Sequence, residues 1–477
     1  MAEQMCTTQT SSSLRRETAK SPVESSKAPE TTLRTLIQRG CTTVAFLLPL
    51  KLSLTYAVLV PLIVLWLYTD RAALRTRLSL LSTSSIISSL SFFLLTVSVS
   101  AITGLSLGHS LPSLLSLLFF TLSAPLFCFY AQRRSVIAAL LAGQSIAALH
   151  SVLENVFPHA FPRLFLGEVT ESGQLAITTL VLLGSIWTSA TDTRHQIYST
   201  PTEPIRSINS LRTLCGFGAV ATGLVTFLAF QSSLGLSDRY IWVIPVALVA
   251  LVATVLLSLR VAGRAYRESA LLLAVQMPLL LCALLVNLKR GPWLGVLVGI
   301  SLFCAYYARR LIGVIIVVSI TVAFSVQPIY DRIASSYDHF TIAGGRSTIW
   351  RIGAELIAEY PLGVGYHNSG ILRQFDPQIP PELKHFHNNL LNIVAENGWL
   401  AGLLFVWFLL AACRSCFRSP RDPMYVAIGC ALVSWQTAGL VEYNFGDSEV
   451  MLIVWILIGL ILQREGREPM SAPRAYV

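Results

Sequence analysis

The chain has 477 residues, 54% of them hydrophobic and only 13% charged, where a soluble domain carries about 25% charged residues. That balance excludes a soluble globular enzyme and points to an all-α, polytopic membrane protein. The formal net charge of +10 sits in short loops between apolar runs rather than on one basic face, so it reports topology and excludes nucleic-acid binding.

Residues 1–32 are rich in Ser, Thr, Glu and Lys and lack apolar periodicity, which predicts a disordered tail. The first apolar run starts only near Thr42 with no cleavage pattern after it, and Glu3, Glu17, Glu24 and Glu30 argue against a transit peptide. A crossing helix needs roughly 17 to 25 apolar residues. On that rule spans are expected at 34–50, 53–69, 78–101, 111–131, 135–153, 173–190 and 208–231, then 239–259, 268–288, 291–308 and 311–327. They resume at 389–412, 424–441 and 447–463. The expectation is a transmembrane helix bundle of 12–14 spans, divided into 33–326 and 389–463. Between the two parts, residues 327–388 form the longest polar interruption, a large loop containing short helices, and 464–477 form a second tail.

Basic residues mark alternate loops. Arg34 and Arg39, Arg71 and Arg75, Arg133 and Arg134, Arg309 and Arg310, and Arg414 and Arg418 all fall on one side. The positive-inside rule makes that side cytoplasmic and puts both termini on it. The 327–388 loop and the acidic turn from Glu442 to Asp447 then face the periplasm. None of the nine cysteines lies in the long loop, so there is no disulfide framework, and Cys413 with Cys416 is a lone CxxC lacking a second ligand pair. The spans hold few ionisable groups and no internal repeat, which weakens a transporter reading.

The candidates for chemistry cluster at the outer span ends. Lys289 and Arg290, in LKRGPW, break the positive-inside pattern; they either snorkel to the interface or face an anionic ligand head there. Ile349, Ile352, Leu356 and Tyr360 recur at helical spacing, predicting an amphipathic helix from Ser347 to about Glu359 that Pro361 ends. Trp350 would anchor it at the interface. Arg346 then stands at the helix start, where the dipole favours anions, so a shared anion would explain its placement. His385 and His387 could form a metal pair but lack an evident third ligand. They are otherwise interfacial histidines, or His387 is a general base. Glu442, Asp447 and Glu449 form either a structural ion pair with one of these arginines or an alternative base.

KRGPW, GRSTIW, YPLGVG, HNNLLNIVAENGWLAG and EYNFGDSE follow one another in this order over about Leu288 to Leu462. In that combination the chain resembles the O-antigen ligase and polymerase superfamily of bacterial membrane glycosyltransferases. The resemblance implies a multi-pass inner-membrane enzyme that moves a glycan from an undecaprenyl-diphosphate carrier to an acceptor hydroxyl of a lipid A core or growing polysaccharide. It further implies inversion at the anomeric carbon and no cofactor or required metal. Arg290 and Arg346 would be the catalytic cations on the donor diphosphate and His387 the residue that activates the acceptor. Lys289, Trp350 and Asn388 would help bind substrate, with Glu442 and Asp447 as supporting carboxylates. Repeat-unit polymerisation and protein O-oligosaccharyl transfer are the alternatives within the superfamily, and a membrane transporter is the alternative of another class. The family usually has Gly-x-x-Gly after the His–Asn element; here Gly398 is followed by Trp399, Leu400, Ala401 and Gly402, and the small Ala401 is expected to preserve close helix packing.

Overall fold

The computed structural model describes residues 28–156, 162–198, 275–342, 345–418 apart from 376, 378 and 380–382, and 422–466. The described residues form helices and no strand. In chain order the first are α1 (Ala28–Leu47), α2 (Leu52–Asp70), α3 (Leu74–Leu81), α4 (Ser85–Thr103), α5 (Leu107–Thr121), α6 (Ser123–Tyr130), α7 (Arg133–Val156) and α8 (Glu168–Tyr198). Next come α9 (Met277–Val286), α10 (Arg290–Tyr307) and α11 (Leu311–Ser325). The polar segment carries α12 (Gln327–Ala334), α13 (Ser336–Thr341), α14 (Arg346–Glu359) and a 3-10 helix (Asn368–Gln374). Three helices follow: α15 (Asn389–Phe417), α16 (Pro423–Ala438) and α17 (Ser448–Glu465).

Six helical stretches are long and apolar enough to cross a membrane: Leu52–Asp70, Ser85–Thr103, Leu107–Tyr130, Arg133–Asn155, Glu168–Thr191 and Asn389–Phe417. The all-helical, multi-pass architecture is thus observed. The expected spans 208–231 and 239–259 lie outside the described residues, as do 1–27 of the first tail, while α1 already begins at Ala28. Helices α1, α10, α16 and α17 stand where spans 34–50, 291–308, 424–441 and 447–463 are expected.

α17 is the axis of the bundle. It is apolar on all sides, as a helix must be to sit in an interior, and every residue from Val450 to Gln463 is buried, chiefly against α6 and α8. α16 packs on α8 and α10, and α15 packs on α4. In contrast α11 buries none of its residues. It lies on the periphery, and after Ser325 the chain bends by 91° into the α12 segment. Pro328 in the first turn of α12 has no amide to offer a continuing helix, so the bend falls where the backbone bonds would be lost anyway. Asn388, Asp422 and Asp447 cap α15, α16 and α17 by accepting from Leu391, Met424 and Glu449 amides at 3.0, 3.1 and 3.2 Å.

Candidate active site

The platform of the site is a break in α15. Gly398 adopts φ 83°, ψ 170°, which interrupts the helix and releases the backbone bonds around it. The freed groups are taken up by the segment from Pro361 to Gly365. Val364 N donates to Ala395 O at 3.0 Å, Gly365 N to Glu396 O at 2.8 Å, and Trp399 N to Pro361 O at 3.3 Å. Gly363 sits at φ 86°, and a Cβ there would come within 2.3 Å of Glu396 O. PLGVG and ENGW are therefore two halves of one joint that pins the polar segment to the bundle. Beneath it, the buried Glu396 carboxylate accepts from Ser369 Oγ at 2.6 Å. Ala401 is fully buried three residues beyond the break, as close packing requires.

The joint leads directly to the start of α15, where HFHNN is held on every side. Phe386 is fully buried in a small core with Ile349, Leu356, Val364, Leu372 and Leu383. Its carbonyl accepts from Trp350 Nε1 at 2.9 Å, and its amide donates to Asn392 Oδ1 at 3.2 Å. Next to this anchor His387 takes a left-handed conformation, φ 49°, which is uncommon for a residue with a side chain. Asn389 ties the same helix start to the turn before α17. Its Nδ2 donates to Asn444 Oδ1 at 2.7 Å, and its Oδ1 accepts from the amides of Asn444 and Phe445. Glu442, in that turn, is thereby brought beside His387.

Arg346 Nη2 donates to Glu442 Oε1 at 2.8 Å, and His387 Nδ1 lies 3.8 Å from Glu442 Oε2. The second separation is too long for a hydrogen bond but close enough for charge to be felt. Burial pulls the Glu442 carboxyl up, yet His387 and Arg346 outweigh it and hold the group below the usual carboxylate range. Burial, with His387 alongside, pushes His385 down to about 4. Neutral His385 accepts the His387 amide on Nδ1 at 3.3 Å, and the two rings meet edge to face. Arg290 opens α10 against the same turn: a Cβ on Gly291 would lie 3.1 Å from Glu442 Cγ. Arg290 Nη1 donates to Ser336 Oγ at 2.5 Å. Two guanidiniums, an imidazole and one carboxylate, drawn from α10, α14, the start of α15 and the turn before α17, converge on one partly buried spot. Among the described residues, no three His, Cys, Asp or Glu side chains converge as a metal would need.

Residues 277–406 match the family model described as Wzy_C, O-Antigen ligase, and this stretch includes Arg290, Arg346 and His387. The chain carries an O-antigen ligase domain. No curated protein matches the sequence. With its run of apolar helices, the protein is a multi-pass membrane glycosyltransferase of the O-antigen ligase superfamily, a class that works on lipid-linked glycans.

Not every sequence candidate reaches the centre of the O-antigen ligase site. Lys289 turns toward Glu168 at 3.0 Å. Asp447 caps α17 and accepts from Thr170 Oγ1 at 2.6 Å. Asn388 spends its carboxamide on the α15 cap and on Leu440 O, at 2.9 Å. Trp350 is a brace for the Phe386 carbonyl rather than only an interfacial anchor. The ion pair expected of Glu442 is formed with Arg346. Sequence reasoning passed over Asn389, Asn392, Ser336 and Arg332. A polar pair at the start of an apolar helix was the available signal for the two asparagines; nothing local marks Ser336 or Arg332.

Proposed function

We propose that the protein transfers a glycan from an undecaprenyl-diphosphate carrier to an acceptor hydroxyl, of a lipid A core or a growing polysaccharide, on the periplasmic face of the inner membrane. Both termini are then cytoplasmic. The observation that carries this reading is the convergence of Arg290 and Arg346 with His387 around Glu442. Arg290 and Arg346, the latter at the N-terminus of α14, bind the donor diphosphate. The acceptor oxygen attacks the anomeric carbon from the face opposite the diphosphate while its proton passes to His387. The bond from that carbon to the diphosphate oxygen breaks with its electron pair on the leaving group, and the configuration inverts. Charge grows on the departing diphosphate as the bond breaks, and guanidiniums already in place stabilise it without a metal. Glu442 orients His387 and supports the imidazolium that forms. An apolar groove of about 320 Å³ opens beside Asn388 between Ile357, Leu391, Trp399, Val406 and Leu440, suited to the carrier's isoprenoid chain at the membrane edge.

The test is deletion of the gene followed by complementation with Arg290→Ala, Arg346→Ala and His387→Ala. Each is expected to abolish mature surface glycan while inserting normally in the membrane. Arg346→Lys should recover little, because a Lys cannot grip phosphate with two parallel bonds. Long carrier-linked chains accumulating in the deletion strain indicate ligation, and single carrier-linked repeats indicate polymerisation. Normal glycan from all three inserted variants refutes the assignment.

A further inference from the structure

We propose that Arg332, on α12, is a third guanidinium of the donor site and binds the carrier diphosphate together with Arg290 and Arg346. The inference rests on the donor reading above and adds a residue that no family motif marks. The 91° bend after α11 lays α12 across the end of α10. There Arg332 Nε donates to Leu288 O at 3.1 Å. Leu288 is itself left-handed, φ 51°, and leads straight into Lys289 and Arg290. Ser336, one turn on from Arg332, donates to its carbonyl at 3.4 Å and accepts from Arg290 at 2.5 Å. Arg332 and Arg290 are thus tied into one unit by their own neighbours.

The charges in this unit do not balance. Among the charges acting on Arg290, the repulsion from Arg332 is the strongest and that from Arg346 follows; the opposing attraction comes from Glu442, which already bonds Arg346. Asp331, next in sequence, accepts from Gln327 at 2.7 Å on the exposed face of α12. Like charges gathered in a partly buried place are costly unless an anion completes them. Three guanidiniums against one carboxylate leave an excess of two positive charges, matching a diphosphate better than a single phosphate.

The experiment uses the full chain in nanodiscs and measures equilibrium binding of undecaprenyl diphosphate and undecaprenyl phosphate to wild type, Arg332→Ala and Arg332→Gln. Gln keeps an N–H for the Leu288 carbonyl but not the charge. Arg332→Gln is expected to weaken diphosphate binding on the order of 10-fold, as loss of one charge-assisted hydrogen bond would. Its affinity for the monophosphate should change less, and its binding should depend less steeply on salt. Wild-type affinity in Arg332→Gln, whether or not Arg332→Ala is impaired, would assign Arg332 a purely structural bond and overturn the proposal while leaving the donor reading intact. Wild-type protein that does not prefer undecaprenyl diphosphate to undecaprenyl phosphate overturns the donor reading and this inference with it. Phosphatidylglycerol nanodiscs that suppress diphosphate binding as strongly as added carrier does would assign the charge to bulk headgroups and also overturn it.

Discussion

Replacing Glu442 with Gln should separate two effects that the wild-type carboxylate combines. Toward the donor, Glu442 competes with substrate, because it occupies the Arg346 guanidinium at 2.8 Å in the absence of ligand. Two unit charges about 4 Å apart attract by about 4 kcal/mol at an effective dielectric of 20, and desolvation returns most of that. A charge-assisted bond nets about 1.5–3 kcal/mol, so freeing Arg346 should tighten undecaprenyl-diphosphate binding by about 10-fold. Toward the acceptor the same change is harmful. His387 loses the carboxylate 3.8 Å from its Nδ1, and with it the charge that favours taking a proton on the other ring nitrogen. General-base assistance contributes about 10²–10⁴-fold, so kcat should fall by roughly 10²-fold. Equilibrium binding and single-turnover transfer on the same nanodisc sample measure the two effects separately. Tighter binding with slower transfer supports the opposed roles. A parallel fall in both, with a lowered Tm, would show that Glu442 only holds the turn together and would refute the reasoning.

Lys289→Ala should leave transfer within about twofold of wild type, since Lys289 pairs with Glu168 away from Arg290; complementation beside Arg290→Ala checks this. Gly363→Ala should destabilise the protein by about 3 kcal/mol or more, because its φ of 86° strains an L residue and the new Cβ meets Glu396 O. A detergent melt showing an unchanged Tm would contradict the joint described for α15. His385→Gln concerns pH. The unfolded chain protonates His385 near its ordinary 6.5 and the folded chain only near about 4, so between those values the unfolded state binds more protons. Wild-type stability therefore falls as pH drops from about 6.5 to about 4, and the variant's Tm should fall less over that window.

Hydropathy and charge made the helical class legible, because backbone groups in lipid must be satisfied within each helix and that demand shapes every span. The catalytic candidates were legible for a related reason. Arg290, Arg346 and His387 stand at apolar boundaries, where a charge has few structural excuses, and the structure gathers all three around Glu442. Lys289 shows the limit. It has the same boundary position as its neighbour, but which acid it meets depends on where α8 begins, and that is a tertiary fact. Arg332 was illegible for the opposite reason. On an amphipathic helix it reads as an ordinary solvated charge, and only the bend at Val326 brings it to Arg290.

Backbone strain gives the site its coherence. Among the described residues the non-glycine positions with positive φ are Leu288, His367 and His387. Two of them adjoin the α10 start and the α15 start, the helix ends that present Arg290 and the imidazole. Such conformations cost about 1–3 kcal/mol each, so something nearby must hold them. For His387 it is Phe386, whose full burial contributes about 1.5–3 kcal/mol, together with the bonds from Trp350 and to Asn392. For Leu288 it is the bond from Arg332. His387 can therefore be strained toward Glu442 only because Trp350, on α14, reaches back across the polar segment. That same helix starts at Arg346. The cation for the donor and the brace for the base ride on one rigid element, so displacing α14 should disable both halves of the reaction together.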